Sequence, residues 1–176
     1  MIIAISGKAG SGKSSVGERV AQILGLRIVS HSFKTLAEKT GKDLMEVQKE
    51  AASNPAIDKD MDEIIRAEAA KGDCVVVTWL GPWIVRHPDL RVWLDATDET
   101  RAARIAGRDG MDEKGALEHI KKRDSDNRQR YLKLYGIDIE DRSEFDLELN
   151  SGKFSIEQLA QMIANAARVK GGELKR

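Results

Sequence analysis

The chain has 176 residues, enough for one domain with a sizeable core. Its 29 Lys and Arg balance 29 Asp and Glu, so the formal net charge is zero, and a general nucleic-acid or membrane role has no electrostatic support. A single Cys74 excludes an internal disulfide and a multi-cysteine zinc site; it fits a reducing cytosol, no signal peptide or membrane-spanning run is read, and a cytoplasmic location is expected.

The first element is a short apolar strand, Ile2 to Ile5. It leads into Gly7-Lys8-Ala9-Gly10-Ser11-Gly12-Lys13-Ser14, which matches the phosphate-binding loop G-x-x-x-x-G-K-[ST]. Glycines at this spacing let backbone N–H groups turn inward around an anion without Cβ clashes. A helix from Lys13 to Leu24, with Val16, Val20 and Ile23 at helical spacing and Gly25 ending it, aims its positive end at the same anion. ATP is therefore expected along Gly7 to Ser15, with Lys13 on the β- and γ-phosphates and Ser14 on Mg²⁺.

Leu26 to Ser30 reads as a second strand, followed by helices over Phe33–Lys39, Asp43–Ala52 and Asp58–Lys71. The about forty residues before the next strand are long for a simple crossover and mark an insertion, taken as 31–71. Cys74 to Val77 is the third strand, Leu80 to His87 a loop or short helix, and Leu90 to Leu94 the fourth strand. In the next helix, Thr97 to Arg108, Arg101, Arg104 and Arg108 share one face, with Arg101 assigned to solvent. Gly107 to Gly110 reads as a hinge into a long helix, Asp112 to Tyr135. The polar middle of that helix's stripe, Asp124 and Asn127, predicts a helix that leaves the core and then rejoins it. Phe145 to Leu149 is a fifth strand; a last helix starts at Ser155 with a capping box and a core face of Ile156, Leu159, Met162, Ile163 and Ala166. Strands alternating with helices predict an α/β fold with a parallel sheet, helices on both faces, and an active site at the carboxyl ends of the strands.

Two further segments narrow the family. Arg123-Asp124-Ser125-Asp126-Asn127-Arg128-Gln129-Arg130-Tyr131, then Leu134-Tyr135-Gly136-Ile137-Asp138, and Phe145-Asp146-Leu147-Glu148-Leu149-Asn150, together with Arg101, Arg104 and Arg108, resemble the cytidylate kinases of the short archaeal type over about residues 1–165. The resemblance implies a P-loop nucleoside monophosphate kinase, one domain over 1–176, with sheet order 2-3-1-4-5, an acceptor-binding insertion (31–71) and a mobile lid (108–127). It implies transfer of the γ-phosphoryl group of ATP to CMP or dCMP with Mg²⁺, by a monomer. Lys13, Arg123 and Arg128 are then the catalytic cations, and Arg104 and Arg108 join the ATP site.

The match departs from the family on the acceptor side. Ser30-His31-Ser32-Phe33-Lys34 stands where the family has a Gly-Asp-Ile-Phe-Arg type segment, and Val77-Thr78-Trp79 replaces an acid, a small residue and an arginine. Ser30, Lys34, Asp58, Asp62, Arg66 and Trp79 are the candidates to receive the acceptor. Asp58, Asp62 and Arg66, spaced i, i+4, i+8, read equally as an ordinary exposed ion-pair face. Two other readings stay open: a kinase of this type with a different small-molecule acceptor, or an ATP-binding regulatory protein with little kinase activity.

Overall fold

The computed structural model describes residues 1–30, 36–37, 40–42, 46–47, 50 and 54–172. Five strands form the sheet: β1 (Ile2–Ser6), β2 (Arg27–Val29), β3 (Cys74–Val77), β4 (Leu90–Asp95) and β5 (Leu147–Asn150). All pair in parallel, in the order β2-β3-β1-β4-β5 that the family resemblance implies. Register follows burial: Ile3 sits opposite Val75 and Leu90, so hydrophobic residues line up across the central strands.

Successive side chains of a strand point to opposite faces, and both faces here are covered. Ile3, Ile5, Val75, Val77, Val92 and Leu94 pack with Val16 and Val20 of α1 (Lys13–Leu24) and with Leu159 and Ile163 of the C-terminal helix, α6 (Ile156–Lys170). The other face carries Cys74 and Val76 against Ile65 of α2 (Pro55–Ala69), Ile84 of α3 (Gly81–Ile84), and Tyr131 of α5 (Glu113–Tyr135). Between these layers and the phosphate loop, α4 (Asp98–Asp109) and α5 share a third cluster of Ala102, Ile105, Ala116 and Ile120 with Ala9. No helix among the described residues is long and apolar enough to cross a membrane.

Local signals set most boundaries. Gly25, Gly110 and Gly136 end α1, α4 and α5 in the left-handed conformation. Asn54 caps α2 and Pro55 takes its first position. Ser155 and Gln158 form the expected capping box.

Several expectations need correction. The α6 core runs through Leu159, Ala160, Ile163, Ala164 and Ala167, and the alanines turn Met162 outward while Ile156 sits exposed in the first turn. Strand β2 lacks Leu26, whose N–H closes the α1 turn on Ala21 O. Strand β5 starts two residues late because Phe145 is drawn into an edge-to-face cluster with Trp83 and Trp93, at 5.1 and 5.6 Å. Helix α5 does not leave the core: Asn127 is buried, and Asp124 is held inward by Arg101. The helices expected at 33–39 and 43–52, and the tail beyond 172, fall wholly or partly outside the described residues.

Helix α1 lies close on β3, because a Cβ at Gly17 would come 2.4 Å from Val77 Cγ2. Gly17→Ala is expected to lower unfolding free energy by ~1–3 kcal/mol, the range for an overpacked core, despite alanine's better helix propensity. Adding Val77→Ala should recover part of that loss. Urea unfolding of the two variants and the wild type checks it; a Gly17→Ala protein as stable as wild type would refute the close packing.

Candidate active site

Strands β1, β2 and β3 run parallel, so Ser6, Ser30 and Thr78-Trp79 all lie at one edge of the sheet. The loop from Gly7 to Gly12 rises from that edge into α1. Gly10 and Gly12 have φ of 77° and 83°, and a Cβ at Gly10 would meet the Arg101 carbonyl oxygen at 2.7 Å. The loop is thus shaped by α4 as well as by its own sequence. Ser11 N–H donates to Lys8 O and Val16 N–H to Gly12 O, at 3.2 and 3.0 Å. The Ser11 hydroxyl is buried with no hydrogen-bond partner. Ser14 and Ser15 stand exposed in the first turn of α1. A cradle only glycine fits, at the positive end of a helix, suits a phosphate chain.

Lys13 is half-buried, with Nζ 3.4 Å from Lys8 O and 5.4 Å from the centre of the Trp79 ring. Desolvation first, then the positive charge of Arg123, pushes its ammonium down to about 7. Arg123, on α5, is itself half-buried, makes no hydrogen bond or ion pair among the described residues, and is lowered chiefly by desolvation. Two partly desolvated cations in each other's field form a site that favours an anion of high charge.

The other predicted arginines divide. Arg104 donates to Gly10 O at 3.2 Å, and also to the backbone and hydroxyl of Ser151, so it braces the loop. Arg108 is exposed and paired with its neighbour Asp109. Arg128 lies away from the loop, in an exposed two-pronged pair with Asp138, because it is five residues from Arg123 and falls on another side of the helix. Arg101 corrects the sequence reading outright: it is 2% exposed and bonds Ala9 O, Asp98 and Asp124. Lys8 pairs with Glu140 at 2.7 Å, which ties the loop to the segment after α5.

On the acceptor side the exposed ion-pair reading fails. Asp58 and Asp62 are 6% and 8% exposed. Asp62 accepts from the Tyr135 hydroxyl at 2.5 Å, while Arg130 Nε lies 3.9 Å from Asp58 Oδ1 and Asp58 Oδ2 has no hydrogen-bond partner. Burial pushes both carboxyls up; Arg130 pulls Asp58 back and the Tyr135 hydroxyl pulls Asp62 back. Buried Tyr131 has its phenol pushed up to about 12 by desolvation, so it stays neutral. Arg66 acts on Asp62 through its charge but spends its hydrogen bonds elsewhere: it pairs with Glu63, donates to Ile84 O, and lines a separate groove of about 520 Å³ with Ile2, Ala70 and Arg86. Ser30 is half-buried just past β2, and Lys34 lies outside the described residues.

Arg130 was not singled out by sequence reasoning. The available signal was its spacing: seven residues, two helical turns, from Arg123, so both share one face of α5. That face runs for about 10 Å, from the Lys13 region to Asp58 and Asp62.

A family model described as the cytidylate kinase-like family matches residues 2–153. The cytidylate kinase of Pyrobaculum aerophilum is 43% identical over 159 residues, 89% of this chain and 86% of that protein. The cytidylate kinase of Pyrococcus horikoshii is 38% identical over 168 residues, 94% and 88% of the two chains. Among solved structures, shikimate kinase from Acinetobacter baumannii superposes with a TM-score of 0.64 at 16% identity, covering 99% of this chain and 95% of its own. Deoxyadenosine kinase from M. mycoides with bound dCMP and dCDP gives 0.56 at 16% identity, covering 96% and 100%; at such identity these two share the fold.

The depressed Lys13 has a measurable consequence. At pH 8 it is mostly neutral in the free protein, and a bound polyphosphate favours its charged form, so MgATP binding should take up close to one proton. Near pH 6, where Lys13 is already charged, its share of the uptake should shrink. Calorimetric titrations in buffers of different ionisation enthalpy give the proton count. An unchanged count in Lys13→Ala at pH 8 would contradict this assignment.

Proposed function

The chain belongs to the cytidylate kinase-like family, and from that premise we propose that it transfers the γ-phosphoryl group of ATP to CMP or dCMP. The observation that carries the reading is the line of groups along α5. Lys13 and Arg123 stand at the phosphate loop, and Arg130 stands beside buried Asp58 and Asp62, two helical turns away. That separation is comparable with a nucleoside monophosphate laid from phosphate to base.

In this reading the chain supplies position and charge more than covalent chemistry. Backbone N–H groups from Gly7 to Ser15 cradle the ATP phosphates. Lys13 and Arg123 neutralise the charge that develops on the transferring group, where the Trp79 ring limits water around Lys13. Arg104 holds the loop carbonyl of Gly10 away from the phosphates. Ser14, exposed at the start of α1, is the residue that would hold Mg²⁺ with the phosphate oxygens; Thr78, at the end of β3, spends its hydroxyl on Gly81 N–H. The ion, when bound, would supply positive charge against the phosphate oxygens. Residues 108–127 serve as a lid, with Gly110 as its glycine hinge. Arg128 pairs with Asp138 and would order the loop after α5, a structural role. The protein works as a monomer in the cytoplasm.

The test is ADP release with MgATP against CMP, dCMP, UMP, AMP, GMP and no acceptor. CMP and dCMP should turn over in the usual kinase range, ~1–100 per second. Lys13→Ala and Arg123→Ala should each lower kcat by ~100-fold or more, the scale for losing a donor to developing charge, whereas Arg128→Ala should stay within about threefold. Release of ADP that ignores the acceptor would sink the reading in favour of an ATP-binding regulatory role.

A further inference from the structure

Arg101 is the most buried guanidinium among the described residues, and its three partners come from three elements. It donates to Ala9 O in the phosphate loop at 3.0 Å, to Asp98 in the first turn of α4 at 2.6 Å, and to Asp124 on α5 at 2.8 Å. Yet the pairing is incomplete. Arg101 Nε and Asp124 Oδ1 are both buried without a hydrogen-bond partner. A buried ion pair with an unsatisfied atom on each side is a poor stabiliser, and packed apolar residues would serve the core as well or better. What the arrangement does fix is register. Asp124 is the neighbour of Arg123, so anchoring one sets the direction of the other. Anchoring Ala9 O likewise sets the peptide that leads into Gly10, where an added Cβ would meet the Arg101 carbonyl oxygen at 2.7 Å.

We propose that Arg101 is a positioning residue with two arms: through Ala9 it holds the phosphate loop in its anion-binding shape, and through Asp124 it holds Arg123 over the phosphoryl group. The proposal rests on the kinase reading for its second arm only. The two arms separate experimentally. Asp124→Asn keeps the shape of the side chain, removes its charge, and leaves the Ala9 arm intact. The double change Arg101→Met with Asp124→Leu removes both arms and replaces the ion pair by apolar contacts, which should bring the melting temperature back near that of wild type.

MgATP affinity is measured by calorimetry without acceptor; kcat and KM are measured on the acceptor that the wild type turns over. Asp124→Asn should bind MgATP within about threefold of wild type and lose about tenfold or more in kcat with KM little changed, the signature of an interaction made in the transition state. The double variant should bind MgATP about tenfold more weakly and also be slow, a difference of ~1.4 kcal/mol in binding, while as stable as wild type. Recovery of stability, affinity and turnover together in the double variant would overturn the proposal and make the pair merely structural. So would unchanged turnover in Asp124→Asn. If the wild type turned over no nucleotide, the kinase reading would fall, and the MgATP affinity of the double variant alone would decide the first arm. Should the double variant not fold, Arg101→Lys, which keeps the charge but cannot reach Ala9 and Asp124 at once, takes its place with the same expected losses.

Discussion

Lys13 and Arg123 are held at partly desolvated positions in each other's field, and much of the surrounding structure exists to keep them there. Left to themselves, two flexible cations would swing apart into water. Lys13 is confined by the helix start, by Lys8 O and by the Trp79 ring. Arg123 is confined because α5 is pinned at both ends of its polar middle: Ile120 and Ala116 pack on α4, and Tyr131 packs on the sheet. Asp124 lies between these contacts, and its charge offsets part of the repulsion at Lys13. The conflict is local and fixed in space, which is what a site for a transferring phosphoryl group requires.

The same constraint explains why the phosphate loop is braced so heavily from outside its own sequence. Its carbonyls would repel phosphate if they turned inward. Arg101 takes Ala9 O and Arg104 takes Gly10 O, while Lys8 is drawn aside by Glu140. Two of these braces come from α4 and the third from the segment after α5, so the loop's shape depends on both being in place. Arg128 and Asp138 order that segment, which links the Tyr-Gly-Ile-Asp sequence to the loop without either touching it directly.

Sequence reading went furthest where the cause is local. The bounds of α1, the capping box at Ser155 and the glycine stops after α1 and α5 were visible, because each depends on a few neighbouring residues, whereas the strand order came with the family resemblance. It failed where a partner lies far along the chain. Arg101 reads as solvent-facing from helical spacing, and its burial becomes tolerable because Ala9, ninety-two residues earlier, and Asp124 join nearby Asp98 as partners. Asp124 and Asn127 read as the exposed middle of a helix for the same reason. Asp58 and Asp62 read as an ion-pair face with Arg66, yet Tyr135 and Arg130 turn the acids inward while Glu63 takes the arginine. Arg128 and Arg130 differ by only two residues, which is enough on a helix to put one against Asp138 and the other against Asp58.

In the proposed kinase the acceptor side would keep its task with changed residues. Trp79 stands where the family pattern has an arginine, and in the proposed kinase the positive charge toward the acceptor would come instead from α5, through Arg123 and Arg130. Asp58 and Asp62 sit on the opposite wall, with Asp58 keeping one buried oxygen without a partner. Burying two carboxyls one helical turn apart costs stability, as their raised pKa values express. In the proposed kinase that cost would serve recognition: a hydrogen-bond donor on the nucleoside, at the end remote from the phosphate, would satisfy the buried Asp58 oxygen.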